Sequence, residues 1–281
     1  MSKVTAEMVK ELRERTGVGM AKCKEALDKS DADMEKAIDF LRKAGVASAV
    51  KKEGRETKEG MVGAGESKDK LALIEVNAET DFVTQNAKFK EFVQDICQQA
   101  AETHPASLDE LLNQPCHKDA TLTVDQYRAL VMQSLGENIQ VKRLLVLAKG
   151  TDISLGVYSH MNGKILAVVE LSGAGGEELL ARDIAMHVAA ESPDYLDPEE
   201  VPSEVRARED EIARGQVQGK PANIMDKIVE GKLNAFYDQV CLLRQKYIKD
   251  SALSIADLVA QQAKKLGKPL VLKRFIRWKV G

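Results

Sequence analysis

Cysteine and histidine are the side chains best suited to nucleophilic or metal chemistry near neutral pH, and this sequence holds four of each. Their spacing serves neither purpose. Cys23, Cys97, Cys116 and Cys241 lie far apart with no Cys-x-x-Cys pair, and Cys23 and Cys97 fall on apolar helical faces, where a reduced thiol acts as a small hydrophobe. Cys116 and His117 are adjacent, the wrong spacing for two ligands closing on one metal. His104, His160 and His187 have no nucleophile or carboxylate partner visible in sequence. No metal site, cofactor site or catalytic set is expected, and an enzyme is the least supported class. Gly60-Met61-Val62-Gly63-Ala64-Gly65 has the glycine spacing of a phosphate loop. However, Glu66 stands where the phosphate-binding lysine belongs, and the run precedes a strand instead of following one.

The residues that do stand out are Asp81 and Phe82, in VNAETDFVTQN (76–86). A strand-like run ends there and a helix-like run begins just beyond, so an aromatic occupies a turn that should be polar. Local sequence leaves two readings open. Phe82 is a hydrophobic staple tucking the helix start onto the sheet, with Thr80 or Asp81 as the cap. Alternatively it is an exposed anchor that enters a partner, with the neighbouring carboxylate perturbing a cation site there.

The elements around this turn follow from composition and pattern. At 281 residues, 44% hydrophobic and 30% charged, with 7 prolines, the chain suits about two globular domains. A formal charge of -3 gives no overall pull toward nucleic acid or anionic lipid. No stretch approaches the ~20 apolar residues of a membrane span, and MSKVTAEMVKELRERTG is amphipathic from the outset without a secretory signal. A cytoplasmic protein is expected.

Met8, Val9 and Leu12 form one helical face that ends at Thr16-Gly17. Met20, Cys23 and Leu27 share the face of a second helix. Asp31 or Asp33 can cap a third, which carries Met34, Ala37, Ile38 and Leu41 and is closed by Gly45. A basic junction follows, SAVKKEGRETKEG (48–60). With Arg42, Lys43, Lys51, Lys52, Arg55 and Lys58 it could contact nucleic acid. Interleaved glutamates and the lack of aromatics favour a solvated linker.

The body repeats itself. LALIEV (71–76) returns as LAVVEL (166–171), each preceded by a glycine-led run (Gly60-Met61-Val62 and Gly156-Val157-Tyr158) and followed by an amphipathic helix. QVKRLLVLAKG (140–150) is echoed by LKRFIRWKVG (272–281). Each copy reads as hairpin, helix, second helix and returning strand, which makes a small antiparallel sheet with helices on one face. Equating Asp95-Ile96 with Asp183-Ile184 leaves the first copy with a longer strand-to-helix connection, and the extra segment contains Glu79-Thr80-Asp81-Phe82. In the second copy, residues 203–240 are an addition of their own. Ser203 can cap a helix, Gly219-Lys220-Pro221 can turn, and Val205, Ile212, Ile224 and Ile228 mark a narrow seam between two charged helices. The fold class is therefore α+β. A three-helix module spans 1–54, one subdomain 55–148, and a second subdomain 149–281 carries a helical hairpin at about 200–245.

KELRERTGVGMAKCKEAL (10–27), VNAETDFVTQNAKF (76–89), GENIQVKR (136–143) and IAMHVAAESPDYL (184–196) together resemble the bacterial translation elongation factor Ts family, from the first helix to the last strand. The resemblance implies a guanine-nucleotide exchange factor whose partner is the GTPase elongation factor Tu. It also implies that the N-terminal helices form a ubiquitin-associated-like module on the partner's nucleotide-binding domain, and that the hairpin is a coiled coil. Arg13 and Met20 match contact positions of the module. Thr80, Asp81, Phe82 and Val83 form the segment that, by the resemblance, inserts near the partner's magnesium and phosphate region, and the second subdomain meets the partner's third domain. Neither a cofactor, a direct nucleic-acid contact nor a membrane is implied, and a dimer through the second subdomain is left open. Two departures stand out. Ala21 occupies a position where the family often has a second methionine, and the chain stops at Trp278-Lys279-Val280-Gly281, short of a C-terminal helix that some members carry.

Overall fold

The computed structural model describes residues 4–16, 18–217 and 222–281. The chain divides into two compact units, Met1–Ala148 with Asn162–Lys164 and Lys279–Gly281, and Lys149–Met161 with Ile165–Trp278.

The first unit opens with α1 (Ala6–Thr16), α2 (Met20–Lys29) and α3 (Met34–Lys52). Val9, Leu12, Val18, Cys23, Ala26, Leu27, Ala37 and Leu41 close a small apolar cluster among them. Asp33 caps α3, its carboxylate accepting from Lys36 N at 3.0 Å. Met20, expected on the buried face of α2, is instead 55% exposed. The expected cap at Gly17 lies outside the described residues.

Gly45 does not end the third helix, which runs on to Lys52. A Cβ at Gly45 would stand 3.0 Å from the Gln133 side chain and 3.3 Å from that of Leu130, both on α7 (Val124–Leu135). The glycine is there to let two helices approach, which outweighs its cost of about 1 kcal/mol in a helix interior. Residues 48–52 of the expected linker are therefore helix, and three cations of the basic junction are held. Arg42 bonds Asp119 at 2.8 Å, Lys52 donates to Met132 O at 3.3 Å, and Arg55 pairs with Glu79 at 3.3 Å.

Beyond the junction come β1 (Glu59–Glu66), β2 (Lys70–Ala78), α4 (Asp81–Gln85), α5 (Ala87–Thr103), α6 (Leu108–Asn113), the ribbon β3 (Pro115–Cys116) and β4 (Asp119–Thr123), then α7 and β5 (Ile139–Ala148). The sheet order is β1-β2-β5. It is antiparallel, with Glu59 opposite Ala78 and Lys70 opposite Ala148. Ala72, Ile74, Val76 and Ala78 alternate along β2 into the core beside Phe89, Phe92, Val93, Ile96 and Cys97 of α5. The phosphate-loop lookalike has a packing role: a Cβ at Gly65 would meet the Cys97 carbonyl at 2.3 Å, so its glycine admits α5 onto β1.

In the second unit β6 (Ile153–His160), β7 (Ile165–Ser172) and α8 (Glu178–Glu191) precede the inserted α9 (Ser203–Gly215) and α10 (Ala222–Val240). A ribbon of β8 (Lys246–Tyr247) and β9 (Asp250–Ser254), then α11 (Ile255–Leu266) and β10 (Val271–Lys279), complete it. The sheet order β10-β7-β6 repeats that of the first unit. Each of the equated aspartates bonds a lysine and a tyrosine, the tyrosine coming from α7 in the first unit and β8 in the second: Lys118 and Tyr127 bond Asp95, at 3.2 and 2.9 Å, and Lys249 and Tyr247 bond Asp183, at 2.8 and 3.4 Å. In the insertion Ala213, Val217 and Val229 pack with Ile228 and Leu233. Ile212 and Ile224, expected in that seam, are exposed. Pro202, not Ser203, occupies the cap of α9, and the expected turn at Gly219-Lys220-Pro221 lies outside the described residues.

His187 is fully buried in the second unit. Ile248 N donates to its Nδ1 at 3.3 Å, and its Nε2 lies 3.0 Å from Gln245 Oε1, which suits a neutral ring. Burial holds its pKa below the ordinary histidine value. The unfolded chain therefore binds the proton first, so this stability is complete above about pH 6.5 and is lost as pH falls through that value toward the folded pKa. Thermal unfolding should show the native chain losing a few degrees more than His187→Gln between about pH 7 and about pH 5. Equal losses would contradict this assignment. Among the described residues no helix is long and apolar enough to cross a membrane.

Candidate functional site

β2 ends at Ala78, and the chain turns through Glu79 and Thr80 into the five-residue α4. Thr80 has the extended backbone of a helix cap, yet its side chain makes no capping bond. It is turned to Glu137, which accepts from Thr80 Oγ1 at 2.5 Å and from Thr80 N at 3.0 Å. Inside the turn Thr84 Oγ1 donates to Asp81 O at 2.8 Å, and both Val83 and Thr84 are buried. Asn86 ends α4 and caps α5 by accepting from Lys88 N at 2.9 Å.

So short a helix presents one flank to the protein. Val83 and Thr84 take it, and Asp81 and Phe82 face solvent. Phe82 is 84% exposed, the most exposed large apolar side chain among the described residues. The staple reading of Phe82 is thereby corrected, since Val83 is the apolar residue that faces inward.

Behind the corner lies a polar bed. Glu79 Oε1 accepts from Asn138 N at 2.6 Å, while Asn138, fully buried, donates from Nδ2 to Arg55 O at 2.8 Å and to Glu53 O at 3.3 Å. Glu79, Glu137 and Asn138 were given no role by sequence reasoning. One signal was available. Glu137 directly follows Gly136, the left-handed cap of α7, and an anion at the negative end of a helix dipole needs another reason to be there.

Arg13 and Met20 belong to the helical head, on α1 and α2. Both are exposed, and Met20 lines a groove of about 390 Å³ with Val4, Val9 and Lys24. The groups first inspected for chemistry assemble into nothing reactive. All four thiols are buried, and burial pushes Cys97 up to about 12 and Cys241 up to about 11. His104 and His117 do have carboxylates nearby, Asp69 at 3.6 Å and Glu102 at 3.2 Å. Among the described residues no cluster of three or more metal-ligating side chains occurs.

The profile of the family described as Elongation factor TS matches residues 79–281. Elongation factor Ts of Protochlamydia amoebophila is 60% identical over all 281 residues, covering both chains fully. The chain belongs to the elongation factor Ts family. Elongation factor Ts of Chlamydia felis and of Chlamydia caviae are each 46% identical over the same full length. Within this family member the Glu79–Val83 corner opens the matched segment. Arg13 and Met20 precede it and lie within the full-length similarity to the relatives.

Proposed function

We propose that this member of the elongation factor Ts family is a guanine-nucleotide exchange factor, which binds elongation factor Tu in its GDP form and promotes GDP release during translation elongation. The observation that carries the reading is the exposed Asp81-Phe82 pair on a corner fixed from behind by Glu137 and Val83.

No covalent bond changes in exchange. A nucleotide's phosphates are held by magnesium and by backbone amides, so release is slow unless those contacts are disturbed. A factor that binds empty GTPase more tightly than GDP-bound GTPase must weaken GDP by the same ratio, about 5–150-fold in typical couplings. Phe82 displaces a partner side chain or helix, and Asp81 disfavours the magnesium or holds the displaced groups. Thr80 and Val83 hold the pair at its angle. Arg13 and Met20 dock the head.

Residues 1–54 serve as a ubiquitin-associated-like module, residues 55–148 as the subdomain bearing the corner, and residues 149–281 as a second subdomain with a coiled-coil hairpin at about 200–245. A separate apolar cluster in the three helices supports the first of these, and the mutual packing of α9 and α10 supports the last. Engagement of Arg42, Lys52 and Arg55 within the protein favours a role without direct nucleic-acid contact. The setting is the cytoplasm.

The test is release of labelled GDP from purified elongation factor Tu, with and without the protein. Acceleration of about tenfold or more is expected. A complex that forms without acceleration would make the chain an adaptor.

A further inference from the structure

Glu79-Thr80 and Glu137-Asn138 are two consecutive pairs that grip each other reciprocally. Glu79 accepts from the backbone N–H of Asn138 at 2.6 Å. Glu137 accepts from the backbone N–H of Thr80 at 3.0 Å and from its hydroxyl at 2.5 Å. Each carboxylate thus holds the backbone just beyond the other, tying the β2–α4 turn to the α7–β5 turn. Asn138 is buried and anchored to the carbonyls of Arg55 and Glu53, so the second turn is itself fixed.

The corner needs this grip. A helix of five residues does not hold its own shape in water. Phe82, being exposed, adds nothing to holding it, and Val83 with Thr84 is the only buried part of α4. An anchor that must displace part of a partner works only when its own base resists, because a loose segment yields and must be ordered on binding. Charge-assisted bonds to a carboxylate are among the stiffest available ties.

We propose that Glu137 is a positioning residue for nucleotide exchange, locking Thr80 so that Asp81 and Phe82 meet the GTPase at a fixed angle. This rests on the reading of Phe82 as the displacing group. Glu137 touches neither nucleotide nor partner in this scheme, and it acts through Thr80.

The test measures the GDP release rate from elongation factor Tu against rising concentrations of full-length Glu137→Ala, Glu137→Gln, Thr80→Val, Thr80→Ser and Phe82→Ala. Glu137→Ala should lower the plateau rate about tenfold, with the half-saturating concentration within about twofold of the native value. Glu137→Gln keeps one acceptor and should fall between. Thr80→Val should lower the plateau, and Thr80→Ser, which restores the hydroxyl, should recover it. A merely structural role would deplete folded protein, raising the half-saturating concentration while the plateau is still reached, and that result overturns the proposal. Should Glu137→Ala fail to fold, the Thr80 pair decides alone: equal plateaus for valine and serine overturn it. A native plateau for Glu137→Ala beside a reduced one for Phe82→Ala removes the brace and leaves the displacing ring. A native plateau for Phe82→Ala removes both.

Discussion

Phe82→Ala should lower the plateau rate of GDP release from elongation factor Tu by about thirtyfold or more while leaving the fold intact. Truncating a central aromatic anchor typically costs about 2–4 kcal/mol at an interface, and with Phe82 as the proposed displacing group that cost falls on the step in which the nucleotide site is disturbed. The same change removes almost nothing from the free protein. Phe82 is 84% exposed, and the buried positions of its turn belong to Val83 and Thr84. Surface substitutions of this kind usually stay within about 0.5 kcal/mol of native stability. Stopped-flow release of a fluorescent GDP reads the rate, and thermal unfolding of the same sample reads the fold. A folded variant that releases GDP at the native rate would exclude Phe82 as the displacing group.

Why Phe82 was open to two readings, and why one fails, is a matter of distance along the chain. Stapling and exposure differ only in which flank of α4 looks at the sheet, and no residue between 76 and 86 decides that. The deciding contact comes from Glu137, 57 positions away, which draws Thr80 out of its capping role. The same limit explains Gly45. By local rules glycine closes a helix, whereas packing against Leu130 and Gln133 on a distant helix reverses its meaning.

Periodic features were legible because they are written locally and twice. LALIEV and LAVVEL sit at the centres of sheets with matching strand order. KDATLTV (118–124) and KDSALSI (249–255) are an equally clear echo that strand length concealed. Each threads a ribbon with one two-residue strand into a capped helix, Thr123 and Ser254 serving as caps. Hydrophobic alternation has no room to appear in two residues. The hairpin seam was legible only in part for a related reason: Ile228 packs where it was expected, but Ala213, Val217 and Val229 form the buried centre, and Ile212 and Ile224 face solvent.

Changing the head should produce the opposite kinetic pattern to changing the corner. The double variant Arg13→Glu/Met20→Asp is expected to weaken binding to elongation factor Tu about a hundredfold, two anchor positions at roughly 1.4 kcal/mol or more each. At saturating concentration it should still reach nearly the native release rate. The head folds around Val9, Leu12, Leu27 and Leu41, not around these two exposed residues, so its stability should barely move. Met20 offers a flexible apolar contact beside its groove, and Arg13 a cation for an acidic or carbonyl-rich surface. Isothermal titration gives the affinity, and release at rising concentration gives the plateau. A head that only docks moves the midpoint, whereas a corner that disturbs the nucleotide moves the plateau. If the double variant lowers the plateau at full occupancy, the division of labour between the two sites is wrong, and the head must act on the nucleotide site itself.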